Sequence, residues 1–397
     1  MIKKRLQANA LQNTLVIGTV VFVLVLTLML YFHLNSMISF KTENNIQKIQ
    51  SHQDAFYGNS KEDSPYLIKK LWGAFELAQS SDQKEALSKS PFSRIALMAP
   101  RFYDKPLPQL YLGNTSNYFN VSGNTRLEGE LKVPYSTVRS VNVAGYIFSG
   151  NRIPEQKMFL PDEMFPVFKN ERSRFEDYID FKNDSLIDEL PNRLTHSFFK
   201  PTVTYFDQGT IELFEAELEG NIKLISETKI VVYNTTKIKD VLLIAPIIEI
   251  KNGTKITAHA VARDSIKLQE RVSMAFPSSL TVPKKDFSEP QILISKNVNF
   301  SGIICQFSDP EENRFYPHIY VGESAKIEGL VFNKGFINLS GSIRGSIFTR
   351  EFLAQERGTL YRNHLINGTI EVPDSKNNFL KLFDTSNKKK QPIKWLY

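Results

Sequence analysis

The stretch Lys326–Thr349, KIEGLVFNKGFINLSGSIRGSIFT, alternates apolar residues and sets glycine inside what reads as strand. From Leu339 every second position is Leu339, Gly341, Ile343, Gly345 and Ile347. These share one face of an extended chain, because strand side chains alternate with period two. Glycine inside a strand costs conformational entropy and leaves a packing gap, so its repetition predicts that another piece of backbone comes close.

The phrase apolar-x-Gly-x-apolar recurs around Gly129, Gly145, Gly220, Gly302, Gly329, Gly341, Gly345 and Gly368. Gly129 to Gly145 and Gly329 to Gly345 are each 16 residues apart. Gly302 to Gly329 is 27, but Ser308–His318 is an 11-residue polar insertion, and without it the spacing is again 16. A period this short holds two or three brief strands with their turns, which predicts a mainly β chain folded as a short-coil parallel β-solenoid. One coil cannot bury its inner face alone, so stacked coils would make the core, with Ile327, Val331, Ile343 and Ile347 inward. A β-sandwich is the alternative, and it would need hairpin turns. Runs such as Val241-Leu-Leu-Ile-Ala and Ile247-Ile-Glu-Ile are apolar on both faces, as expected of strands covered on both sides.

Ahead of these strands, Leu15–Phe32 carries no charge over 18 residues, enough to cross most of a hydrocarbon core of about 30 Å. No Ala-x-Ala-like cleavage site follows it, so the segment is expected to be retained behind a helical stalk. Lys3-Lys4-Arg5 precede it, and the positive-inside rule then keeps the N-terminus cytoplasmic and sends the bulk of the chain across the membrane, periplasmic or extracellular. The expected organisation is a basic leader at 1–13, a transmembrane helix at 14–34, and a helical stalk with a docking helix at 35–110. A β-rich extracytoplasmic domain follows at 111–372, with a partly helical insertion at 153–201, and a basic C-terminal tail at 373–397.

The docking helix is read from Asp63-Ser64-Pro65 followed by Leu67, Ile68, Leu71, Trp72, Phe75 and Leu77 at helical spacings. The helical part of the insertion is FEDYIDFKNDSLIDEL, residues 175–190. Its Asp177, Asp180, Asp184 and Asp188 lack the alternation and central glycine of a calcium-binding loop, and they read as a solvated face. Eight Asn-x-Ser/Thr triplets, among them those at Asn120, Asn252, Asn299, Asn338 and Asn367, read as turn residues.

The net charge of +7 is spread among acidic residues except at Lys3–Arg5 and Lys388–Lys390, which argues against nucleic acid as a partner. Cys305 is the only cysteine, so no internal disulfide forms; with no basic cluster beside it, it reads as a buried apolar residue. None of the six histidines pairs at metal-binding spacing, and no nucleophile elbow or phosphate-cradling loop occurs. No catalytic, cofactor-binding or metal residue is nominated, and the glycines are nominated as a structural repeat.

The glycine-punctuated repeat in residues 299–372 resembles the β-solenoid core of bactofilins, bacterial proteins that polymerise end to end. Long insertions and a membrane-anchored front depart from that pattern. The layout of basic leader, long apolar helix, stalk and strand-rich head looks like a type IV pilin or pseudopilin. Ala8, Ala10 and Gln12 stand where the glycine and glutamate of the processing motif belong.

These readings lead to the expectation of a non-catalytic, single-pass bacterial envelope protein, held in the lipid bilayer by its N-terminal helix. Its β-rich module would bind envelope proteins or self-associate. A pilin-like subunit of a secretion or surface-filament machine is the alternative. A polysaccharide-active β-helix enzyme, with Glu128, Glu130, Glu217 and Glu219 on an outer face, is a second.

Overall fold

The computed structural model describes residues 2–57, 66–81, 92–100, 108–113, 118–134, 137–154, 156–159, 175–182, 184–283, 291–310, 315–373 and 390–396. Ile2–Phe56 is one continuous helix of 55 residues, about 80 Å long. Its apolar part, Leu15–Phe32, is exposed all round and is long and apolar enough to cross a membrane. Among the described side chains of the helix, burial is confined to the far end: Ala55 and Phe56 are buried, and the Phe56 ring meets Trp395 edge-on with centroids 5.0 Å apart. Buried His52 adds a polar contact there, with Nδ1 2.9 Å from Ser80 Oγ.

The helix end rests on a four-stranded antiparallel sheet in the order Tyr66–Trp72, Phe75–Ser81, Ile95–Pro100 and Lys390–Leu396. This corrects two expectations. The docking helix is a hairpin: Gly73, at φ +61°, and Ala74 form a turn that folds Phe75–Ser81 back on Tyr66–Trp72. Leu67, Leu71 and Phe75 match helical spacing, but Trp72, Phe75 and Leu77 bury against the neighbouring strands from a β-hairpin. Asp63–Pro65, the expected helix start, lies outside the described residues. The end of the basic tail is likewise a strand, in which Lys390–Leu396 pairs with Ile95–Pro100; Lys388 and Lys389 lie outside the described residues.

The other described residues are mainly strands: His364–Ile366, Phe119–Ser122 and Val138–Ser140 form a three-stranded parallel sheet, and most of the others lie in three parallel ladders. The first runs from Ser185–Ile187 through Val203–Asp207, Ile222–Ser226, 242–244, 258–262, 279–282, 302–306 and 329–333 to 345–349. The second runs from Ile211–Leu213 through Lys229–Val232, 247–250, 265–268, Gln291–Ile294 and Ile319–Val321 to 337–339. The third starts at Arg193–His196 and Glu217–Gly220 and reaches 342–344 and Thr369–Glu371. Apart from the four-stranded sheet, antiparallel pairing among the described residues is confined to the hairpin of Ser342–Glu356 with Thr359–Arg362 and one isolated bridge.

Chain order and ladder order differ. Leu110–Leu112, Leu131–Pro134 and Gln156–Phe159 extend the first ladder beyond 345–349, and Arg126–Leu127 extends the third beyond Thr369–Glu371. Residues 110–159 therefore continue the stack at the end built by residues 342–371. The far end begins at Ser185–Ile187 and Arg193–His196.

Inside the ladders lies one apolar core. Ile327, Val331, Ile343 and Ile347 belong to it with Ile222, Leu243, Ala260 and Ile304, each at most 1% exposed. Burying each isoleucine contributes roughly 1.5–3 kcal/mol. A second core explains the runs that are apolar on both faces. Outward residues of the first ladder, including Leu242, Ile244, Val261, Ile303, Leu330 and Phe332, pack against Trp72, Phe75 and Leu97 of the antiparallel sheet. Cys305 is among them, fully buried.

Glycine has a positional reason here. Gly302, Gly329 and Gly345 pair in register, at the bend where the third ladder passes into the first. At Gly345, with φ +147°, a Cβ would lie 1.9 Å from the carbonyl oxygen of Gly329. At Gly302 it would lie 1.9 Å from that of Ser278. Gly220 meets His196 in the same way, and Gly129, two residues before Leu131, reaches the same bend through the pairing of Ile347, Leu110 and Leu131. Gly341 and Gly368 line the bend between the second and third ladders, so the 23 residues from Gly345 to Gly368 connect different bends. Gly145 falls outside the ladders: it sits in the turn of an isolated Val143–Tyr146 bridge, and its 16-residue distance from Gly129 is not one stacking step.

The insertion at 153–201 does hold a helix, but the 175–190 stretch expected to be helical is mostly not. Among its described residues only Glu176–Ile179 is helical, and Ser185–Ile187 and Arg193–His196 open the first and third ladders. Asp184 is no free carboxylate: it accepts hydrogen bonds from Lys223 Nζ at 2.6 Å and Thr204 Oγ1 at 2.7 Å. Asn234, Asn252 and Asn367 do occupy turns, whereas Asn120, Asn299 and Asn338 lie within strands. Asn114 and Asn183 lie outside the described residues.

Candidate functional site

Three places bring chemistry-bearing side chains together. The first is a serine–histidine pair between the first ladder and the antiparallel sheet. His259 Nδ1 is 3.0 Å from Ser279 Oγ, which also accepts the Ala74 N–H at 3.1 Å. Both residues are fully buried, and the Phe75 ring stands edge-on to the imidazole. Desolvation, with Lys394 adding to it, lowers the His259 pKa to about 3. The imidazole is neutral and sealed from solvent, so the pair fastens the sheet to the ladder and offers no surface to a substrate.

The second is a pocket of about 230 Å³ at the start of the ladders, where Lys70, Trp72, Tyr178, Thr202 and Lys223 converge. Lys70 as a whole is exposed, but its ammonium donates to Thr202 Oγ1 at 2.5 Å and Asn221 Oδ1 at 3.4 Å and lies 5.1 Å from the Trp72 ring centroid. Its desolvation lowers the pKa to about 8, opposed by Asp184 and assisted by Lys223. Tyr178 is buried, with its hydroxyl donating to the Gly73 carbonyl at 3.2 Å. Burial pushes its phenol pKa up. Polar groups here bond mainly to one another, across elements more than 100 residues apart, which no local sequence signal announces.

The third is a groove of about 520 Å³ on the outer side of the second ladder. Its floor is the outward edge of Ile319–Val321 and of 337–339, which presents Tyr320, Asn338 and Ser340. Its wall is the hairpin, which presents Gln355 and Glu356. Buried Glu351 fixes that hairpin by accepting Arg362 Nε at 3.0 Å and Nη2 at 2.9 Å, and the Arg362 guanidinium lies 4.0 Å from the Phe315 ring centroid. Behind the floor, His318 Nδ1 accepts the Phe336 N–H at 3.2 Å. Desolvation lowers the His318 pKa to about 4, with the Tyr316 backbone opposing and Arg350 assisting. The alternation Ile319-Tyr-Val321 is the one local sign of this site, since it sets a tyrosine outward between two core residues.

The eight nominated glycines shape bends or turns and gather at no site. The glutamates of the enzyme reading do not converge either. Glu217 pairs with Arg193 at 3.6 Å and Lys237 at 3.7 Å, and Glu219 with Lys239, near the start of the third ladder. Glu128 and Glu130 follow Arg126–Leu127 at its other end. Among the described residues no three His, Cys, Asp or Glu side chains are placed to hold a metal ion. Burial pushes the Cys305 thiol pKa up. No family model, curated protein or solved structure matches this chain.

Proposed function

We propose that the chain is a single-pass bacterial envelope protein whose extracytoplasmic head, a parallel β-solenoid, is a non-catalytic binding or assembly module. The parallel ladders support the solenoid reading: strands of the three ladders recur tier by tier, with glycine at several of the bends, and each tier buries its inner face only against its neighbours. About 20 residues of the helix suffice for the bilayer. The remaining turns, down to Phe56, would carry the head about 30 Å clear of the surface. The basic residues ahead of the apolar segment support a cytoplasmic N-terminus through the positive-inside rule.

The observation that carries the reading is the contrast between the ladders. The first is covered by the antiparallel sheet, while the outer side of the second carries an open polar groove on a rigid scaffold. No described cluster combines an accessible nucleophile, a base and an orienting group. Photo-crosslinking of the full-length chain in native membranes, with the crosslinker at Tyr320 or Gln355, tests this. Adducts with envelope components or with a second copy are expected, and none at either position would overturn the reading. Protease digestion of intact and opened cells tests the orientation, the head being degraded from outside the cytoplasmic membrane only.

A pilin-like reading draws on one observation, the unbroken helix that is apolar over Leu15–Phe32 and ends docked on the head. Sequencing the mature N-terminus separates the two: a start within residues 7–11 supports the pilin-like subunit, and a start at Met1 supports the retained anchor.

A further inference from the structure

The groove on the second ladder says something about what it would take. Tyr320 is 39% exposed in the middle of a strand whose neighbours Ile319 and Val321 are fully buried. Its phenol ring lies on the floor of a concave surface whose other contacts are short and mostly neutral: Asn338 and Ser340 beside it, Gln355 and Glu356 on the hairpin wall, His364 at the end. Asn338 is next to Tyr320 in the ladder, so ring and carboxamide face the same space one strand spacing apart, about 4.8 Å. Lys296 and Glu323 stand at the rim, and Lys296 is already paired with Glu270 at 3.4 Å.

Three ligand classes can be separated by this chemistry. A polyanion would meet Glu323 and Glu356 with one paired lysine to balance them, and it is disfavoured. An apolar peptide helix needs a greasy groove, and the lining here is mainly polar. A neutral, hydroxyl-rich ligand fits. The flat ring offers a face to C–H groups, carboxamides and hydroxyls can donate to and accept from hydroxyls in fixed positions, and the Glu356 carboxylate, which already takes the Tyr146 hydroxyl at 3.4 Å, can accept from one more. The hairpin wall is held by the two hydrogen bonds that exposed Arg362 donates to buried Glu351, so these groups are ordered before a ligand arrives.

We propose that this groove binds a neutral oligosaccharide, with Tyr320 as stacking platform and Asn338, Gln355 and Glu356 as hydroxyl partners. The assignment rests on the binding reading above and names its ligand class. The test uses the full-length chain in a polyoxyethylene detergent, since a maltoside would itself compete. Binding of chito-, cello-, xylo- and malto-hexaose is measured by calorimetry. At least one hexaose is expected to bind. Tyr320→Ala should weaken it at least ten-fold, Tyr320→Phe little, Asn338→Ala and Gln355→Ala several-fold, and Glu217→Gln on the third ladder not at all. Retained melting temperatures show that the variants remain folded, as surface positions should. No binding of any hexaose at millimolar concentration, binding indifferent to Tyr320→Ala, or displacement only by peptides would each overturn the proposal. Membrane crosslinks from Tyr320 to a protein partner, without hexaose binding, would remove the saccharide and leave the binding reading standing.

Discussion

Gly345 stacks on Gly329 so closely that a methyl group on Gly345 would lie 1.9 Å from the Gly329 carbonyl oxygen. The φ of +147° there is also one that other residues rarely adopt. Gly345→Ala should therefore push two tiers of the stack apart and cost at least about 3 kcal/mol, as backbone collisions inside a core do. Gly253 is the control. Its φ is +75°, but nothing lies within 4 Å of a Cβ there, so Gly253→Ala should cost only the strain, about 1–2 kcal/mol. Melting temperatures of the two variants compare directly. Equal losses would show that the close approach at Gly345 is unimportant.

That relationship was partly legible in the sequence, since repeated glycine in a strand pattern implies approaching backbone. The exact 16-residue recurrence of Gly302, Gly329 and Gly345, once the insertion is removed, matches the observed register. Other features were not local and could not be read. Gly129 and Gly145 share the spacing but not the geometry, because only Gly129 lies at a bend between ladders. The hairpin at 66–81 mimicked helical spacing, because burial in a sheet covered on both faces removes the alternation that marks a strand. The return of Lys390–Leu396 to the sheet depends on pairing nearly 300 residues away in the chain, at Ile95–Pro100. The groove required two elements, an outward tyrosine and a hairpin wall, whose meeting follows only from the stacking.

Asp240 occupies the bend that Gly220 occupies one tier earlier, with φ +63°. Its two carboxylate oxygens are each 2.7 Å from Lys394 Nζ, and its carbonyl accepts the Trp72 indole N–H at 3.1 Å, so the residue fastens both the sheet and its last strand to the ladder. Lys394→Met would leave a buried carboxylate without its cation. The cost should be about 2–3 kcal/mol, less than for a fully buried pair because Lys394 is partly exposed. Adding Asp240→Gly removes the orphaned charge and suits the positive φ, so the double variant should melt higher than Lys394→Met alone. A double variant that melts lower would show that the carboxylate holds the bend by itself.

Cys305 lies in the apolar layer between the first ladder and the antiparallel sheet, and burial pushes its thiol pKa up. Both effects suppress the thiolate that reacts with disulfide reagents. The folded protein should react with a chromogenic disulfide at least a hundred-fold more slowly than the protein in guanidinium chloride. Rapid labelling without denaturant would mean that the sheet lifts readily from the ladder, and would call into question the second core.

The buried histidines set a pH dependence whose sign follows from their neutrality. His259 and His318 titrate at about 3 and about 4 in the folded protein, against about 6.5 in an unfolded chain. Above pH 6.5 neither state binds these protons and stability is full. Below it the unfolded chain takes up protons that the folded protein refuses, so stability falls with pH by about 1.4 kcal/mol per unit for each histidine. The fall continues to about pH 4 for His318 and about pH 3 for His259. Desolvation opposes ionisation of Glu249, but hydrogen bonds from Lys229, Lys251 and Gln269 outweigh it and lower its pKa to about 2. That carboxylate therefore loses its contribution only below about pH 4.5, and from pH 7 to pH 5 the two histidines dominate. The melting temperature of the full-length chain should drop across that interval, and His318→Gln and His259→Gln should each flatten the drop by about half. A melting temperature constant from pH 7 to pH 5 would show that the imidazoles gain protons without unfolding, and that the seals around them open.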